Sequence, residues 1–118
     1  DFDYVAVKEC IELRRLASEL RMDDGMLAEL NPALLRGITP PGKEYSIRLP
    51  SGMAEAAGEA LLSIKPFKFS GTYTVVAGDT LWGISRKFDI SVESLCDVNN
   101  ISEKSLLKIG KILYIPKK

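Results

Sequence analysis

The chain has no histidine among its 118 residues, and that absence removes several chemistries at once. Without it there is no Ser-His-Asp triad, no Cys-His pair, no zinc-protease helix and no imidazole acid–base catalyst. Cysteine is nearly as scarce. Cys10 and Cys96 are too few for a zinc site or for a disulfide-dense scaffold. They read as two small buried or half-buried thiols, and a bridge between them would require the two ends of the chain to pack together. An excess of one charge is also missing. Sixteen Lys and Arg balance sixteen Asp and Glu, so there is no basic footprint of the kind nucleic acid demands. No apolar run approaches the roughly 18 residues of a membrane span. No basic-then-apolar leader opens the sequence, which starts at Asp1 and reads as a piece of something longer. Nothing in the spacing asks for a metal ion or a cofactor.

What is present is a globular composition, 46% hydrophobic and 27% charged. The length suits one ordinary domain or two very small ones. An internal repeat decides between these. Slid against itself by 68 positions (99 − 31), the chain places Leu13 on Leu81, Leu16 on Ile84, Leu20 on Phe88, Leu27 on Leu95 and Asn31 on Asn99. Gly42-Lys43 then falls on Gly110-Lys111 and, after a two-residue insertion, Leu49-Pro50 falls on Ile115-Pro116.

Both repeats follow one plan. In the second, Tyr73 to Val76 is a short β-branched run and predicts a strand. Leu81, Ile84 and Phe88 mark one face of a helix that Thr80 is placed to cap. Ser91 is placed to cap a second helix, with Val92, Leu95 and Val98 inward and Asn99-Asn100 as its terminator. Ile112 to Ile115 predicts a closing strand. The first repeat gives strands at Tyr4–Val7 and Tyr45–Leu49 and helices at Ile11–Leu20 and Asp23–Leu30, with Asn31 as terminator. Between them, Met53 to Ile64 carries its apolar residues on one face, predicting a helix capped by Ser51 that docks on a neighbour. Phe67 and Phe69 then alternate with Lys68 and Ser70 in an extended lead-in. The expected class is α+β: two tandem βααβ modules, residues 1–50 and 73–118, joined by a helical connection at 51–72.

The second repeat, with Tyr73-Thr74-Val75, Gly78-Asp79-Thr80-Leu81-Trp82-Gly83-Ile84, Asn99, Ile109-Gly110-Lys111 and Leu113-Tyr114-Ile115-Pro116, closely resembles a LysM module. The resemblance implies the same strand-helix-helix-strand fold and binding of N-acetylglucosamine-containing glycans, peptidoglycan or chitin-type oligomers. The first repeat resembles a degenerate relative. Cys10-Ile11-Glu12 stands where the second has Gly78-Asp79-Thr80, and Arg14 stands where it has Trp82. Residues 4–50 are similar to the region after the catalytic domain of membrane-bound lytic murein transglycosylases of the D type. That implies a cell-envelope, periplasmic setting and a chain that is the non-catalytic, wall-binding tail of such an enzyme.

The family's groove maps here to Gly78, Asp79, Thr80, Leu81 and Trp82 on one side. Asn100, Ile101, Lys108, Ile109 and Gly110 map to the other. An acetamido group needs an acceptor for its N–H, a donor for its carbonyl and an apolar pocket for its methyl. Facing loops supply these, with glycine at 78 and 110 allowing close approach. Several of these residues carry a plainer reading beside that one. Asp79 and Thr80 are turn and cap chemistry, Leu81 is core, and Trp82 either stacks on a sugar ring or packs against the connecting helix or the first repeat. Glu12, Glu19, Glu29, Glu93 and Glu103 read as solvated faces, and no two are spaced as a glycosidase pair. Residues 73–118 carry seven basic against five acidic residues, a slight excess that suits an anionic wall. The rival reading is a structural or protein-interaction pair that kept the fold and not the sugar site.

Overall fold

A computed structural model describes residues 1–118. Strand β1 (Phe2–Val7) is followed by helices α1 (Leu13–Glu19) and α2 (Met26–Leu30) and by strand β2 (Tyr45–Pro50). Helix α3 (Ala54–Leu61) connects to β3 (Phe69–Thr74), α4 (Leu81–Phe88), α5 (Val92–Asn99) and β4 (Ile112–Pro116). The fold is α+β, with two two-stranded antiparallel sheets, β1 with β2 and β3 with β4.

Each sheet is small and is completed by the helices that cover it. In the first unit the inward residues Val7, Ile47 and Leu49 meet Leu13, Leu16, Ala17 and Leu27. In the second, Val75, Leu113 and Ile115 meet Leu81, Ile84 and Leu95. These are the positions paired by the repeat. Helix α3 packs on β1 and α1, and its Ala57 lies in the first unit's core. The connection is thus a third wall of the first unit, as its apolar face requires.

Three local expectations change. Ser51 does not cap α3; the cap position is Met53, with no side-chain hydrogen bond. The third strand begins four residues early, at Phe69, because the extended lead-in already pairs with β4 from Phe69, which faces Pro116. Most informative are the asparagines. Asn31 and Asn99-Asn100 do end their helices, Asn31 as the cap residue after α2 and Asn100 left-handed at φ 53° after α5, but the side chains of Asn31 and Asn99 have a further role. The Asn99 amide donates to the Leu95 carbonyl at 2.8 Å and to the Tyr114 carbonyl at 2.8 Å, and its oxygen accepts from Tyr114 N–H at 2.7 Å. Asn31 repeats the pattern with Leu27 and Arg48, at 2.8, 3.0 and 2.9 Å. Each asparagine ties the second helix of its unit to the closing strand.

The units share a seam. Cys10 and Ile38 of the first unit pack with Val98 of the second, with Phe67 and Phe69 against them. Both cysteines are buried free thiols, and burial pushes the Cys10 thiol up to about 12. Asn100 reaches across, accepting from Leu35 N–H at 2.7 Å and donating to the Ala33 carbonyl at 3.0 Å. Arg36 Nε lies 3.5 Å from Asp97 Oδ1.

Candidate functional site

The second unit opens a cleft of about 500 Å³ between the start of α4 and the loop that follows α5. Its first wall is Asp79, Thr80, Leu81 and Trp82. Thr80, in extended backbone, accepts Gly83 N–H at 3.0 Å and so fixes where α4 begins. Asp79 is turned inward to its own loop. Its carboxylate accepts from Val76 N–H at 2.9 Å and from the Tyr73 hydroxyl at 2.8 Å. These two bonds, helped by Lys87 nearby, hold the Asp79 carboxyl below the usual carboxylate range. The same hydrogen bond, with burial, raises the Tyr73 phenol. Asp79 therefore shapes the wall and leaves its backbone and its neighbours to face a ligand. Gly78 lies in the turn just before, at φ 86°.

Trp82 is 66% exposed at the rim, with the Arg86 guanidinium 5.2 Å from its ring centre. It packs neither into the core nor against α3, which belongs to the other unit. A large flat side chain held open by a cation has one face free for a pyranose ring.

The opposite wall is Val92 at the start of α5 with Glu103, Ser105 and Leu107 from the following loop. Ser102 and Ser105 make this loop rigid: Ser102 N–H donates to Ser105 Oγ at 2.9 Å and Ser105 N–H to the Ser102 carbonyl at 3.0 Å. Sequence reasoning missed these residues; the Ser-x-x-Ser spacing was the available signal, since hydroxyls at that spacing close a turn. The residues mapped to this side lie elsewhere. Asn100 is engaged in the seam, and Ile101 is buried in the second unit's core. Lys108, Ile109 and Gly110 form a turn beside the end of the first wall, where Gly110 N–H donates to the Val75 carbonyl at 2.8 Å. Ile109 is 71% exposed there. The cleft contains two carboxylates and no lysine or arginine, so the unit's slight basic excess lies outside it.

In the equivalent slot of the first unit the two walls are bridged. Leu13 N–H donates to the Gly37 carbonyl at 2.8 Å, Thr39 N–H to the Ile11 carbonyl at 2.9 Å and Ile11 N–H to Thr39 Oγ1 at 2.9 Å. The two walls that stand apart in the second unit are here stitched into a short ladder, with Glu12 bridging Ile38.

Comparison with known proteins gives two family matches. Residues 73–116 match the LysM domain family. Residues 1–66 match the LysM-like domain of lytic transglycosylase MltD. A probable N-acetylmuramidase of Lactococcus lactis subsp. lactis is 48% identical over 44 residues, covering 37% of this chain and 10% of that protein. The N-acetylmuramoyl-L-alanine amidase XlyA of Bacillus subtilis is 41% identical over 46 residues, covering 39% and 16%. The secreted LysM effector ECP6 of Passalora fulva is 40% identical over 47 residues, covering 39% and 21%. The chain thus spans about a fifth or less of the length of these relatives. Among solved structures, the spore cortex-lytic enzyme SleL of Bacillus cereus aligns over 98% of this chain and 23% of its own, at 23% identity and a TM-score of 0.39.

Proposed function

For a chain that belongs to the family of the LysM-like domain of lytic transglycosylase MltD through residues 1–66, and that carries a LysM domain over residues 73–116, we propose a non-catalytic role in binding the cell wall. LysM domains bind N-acetylglucosamine-containing glycans. On this reading the second unit holds such a glycan, peptidoglycan in the first instance, and keeps an attached lytic transglycosylase near its polymer in the periplasm. The observation that carries it is the contrast between the two slots, one unbridged and partly walled by apolar groups, the other crossed by backbone hydrogen bonds and lined by charged side chains. Leu81, Val92 and Leu107 offer the acetamido methyl an apolar surface, and Trp82 offers the ring a face to stack on. Polar edges come from the backbone of 78–82, with Lys108, Ile109 and Gly110 flanking one end. The first unit is architectural, which keeps the structural reading for that half of the chain. Binding by one shallow slot is weak, and repeated engagement along the polymer supplies the hold.

The test is co-sedimentation with insoluble peptidoglycan, followed by amide chemical-shift titration with an N-acetylglucosamine tetramer. The chain is expected in the pellet, with shifts at residues 79–82 and 103–107. A chain that stays in the supernatant while a known wall binder pellets overturns the proposal. Trp82 is the single tryptophan, so its fluorescence reports the same event, and Trp82→Ala is expected to weaken binding about tenfold, close to the 1–3 kcal/mol typical of aromatic stacking.

A further inference from the structure

Outside the glycan slot, a second large cleft lies at the seam of the two units. It has a volume of about 560 Å³ and is walled by the starts of α1 and α2, the 34–38 loop and one face of α5. Most of its lining comes from the first unit, where Glu12, Arg14 and Asp24 are the counterparts of Thr80, Trp82 and Val92, and α5 of the second unit adds Glu93 and Asp97. Its lining is charged where the glycan slot is apolar, with four carboxylates (Glu12, Asp24, Glu93, Asp97) and two guanidinium groups (Arg14, Arg36). Part of this charge is already paired. Glu12 meets Arg15 at 3.4 Å and Asp97 meets Arg36 at 3.5 Å. Arg14, Asp24 and Glu93 have no ion partner.

Charges of both signs left over in one cleft call for a ligand that carries both. A neutral acetamido sugar offers neither. An inorganic cation does not fit, since no three carboxylates lie close enough to share one. We propose that this cleft binds a short zwitterionic peptide, its ammonium directed to Asp24 and Glu93 and its carboxylate to Arg14. The planar guanidinium takes a carboxylate through two parallel N–H bonds, and the residual negative charge of the cleft favours an amine. The contacts are solvent-facing, so binding weakens with salt. The site stands independently of the glycan reading. If both hold, peptide and glycan parts of one polymer engage one body at two points.

The probe is the peptide N-acetyl-Ala-Lys-Ala, which has one ammonium and one carboxylate. Its lysine-acetylated and C-terminally amidated forms each lack one of the two. Amide shifts are expected at Arg14, Asp24, Gly37 and Glu93, with each control peptide binding about tenfold more weakly. Arg14→Ala should erase the preference for acid over amide and keep the preference for free over acetylated lysine; Glu93→Gln should do the reverse. Both side chains are exposed, so the fold is retained, and the glycan titration at residues 79–82 checks this on each variant. Three results overturn the proposal: no shift at these residues at millimolar peptide, an equal response to all three peptides, or the same residues answering to the neutral glucosamine-type tetramer. The two clefts report through separate residues, so failure of binding at one leaves the other reading standing.

Discussion

Asn31 and Asn99 make the same three hydrogen bonds in the two units, two of them to backbone groups of the closing strand and one to a carbonyl of the preceding helix. No other side chain of similar size supplies two donors and an acceptor in one plane. Asn99→Ala strands the Tyr114 amide and carbonyl, and is expected to lower unfolding stability by about 2–3 kcal/mol. Urea denaturation followed by Trp82 fluorescence measures this, and an unchanged midpoint would contradict the assigned role. Asp79 makes a prediction in pH. Its folded carboxyl is held below its unfolded value, first by the Val76 amide, then by the Tyr73 hydroxyl. Its contribution is therefore complete above the unfolded pKa and is lost as the pH falls through the depressed folded one. The acid limb of the stability curve should be shallower in Asp79→Ala than in the parent chain. Parallel curves would show that the carboxylate does not anchor the loop.

At the scale of elements, the two halves diverge where their first helices begin. Thr80 caps α4 through its hydroxyl, whereas Glu12, at the equivalent position before α1, makes no side-chain cap. Thr80→Ala should cost about 1 kcal/mol and loosen the slot wall, weakening glycan binding; Glu12→Ala, which removes no cap and only a partly exposed ion pair, should leave stability within about 0.5 kcal/mol. Thermal unfolding of the two variants side by side checks the contrast. The helices and strands themselves were legible in the sequence because apolar spacing follows the repeat of each element. Their ends were less so. β3 starts early because pairing with β4, a nonlocal partner, extends it, and α3 begins without a capping hydroxyl because packing on β1 and α1 holds it. The residues lining the far side of the cleft were not singled out for a similar reason. Glu103, Ser105 and Leu107 lie in a loop whose path depends on the Ser102–Ser105 turn, and loops carry no periodicity.

At the scale of the molecule, the seam makes one body of two repeats. Asn100, Arg36 and the Cys10–Ile38–Val98 cluster cross it. So does Gly42, at φ 78°, whose backbone rests against the Tyr114 hydroxyl. An alanine there would carry its methyl into that hydroxyl while holding a left-handed conformation that costs an L-residue about 1 kcal/mol or more. Gly42→Ala should pry the seam open, and Cys10, buried in it, should react faster with a thiol reagent. Asn100→Ala, which removes two cross-seam bonds without a clash, should act in the same direction more mildly. Thiol reaction at the parent rate in both variants would mean the units do not depend on these contacts.

The sequence by itself determined that there are two βααβ repeats, which residues form each core, and that the second repeat carries the loop of a LysM domain. These follow from spacing and local chemistry, which one segment expresses without reference to its neighbours. It also singled out Gly78 to Trp82, a single turn leading into a helix, of which Asp79 to Trp82 line the cleft. Only the tertiary structure decided that the walls of the first repeat's slot are bridged, that Asn100 belongs to the seam, and that α5 adds its charges to a cleft on the first unit. Each of these depends on which surfaces face each other across tens of residues: Ile11 against Thr39, Asn100 against Ala33 and Leu35, α5 against the starts of α1 and α2. Packing sets those distances, and a pattern read along the chain does not contain them.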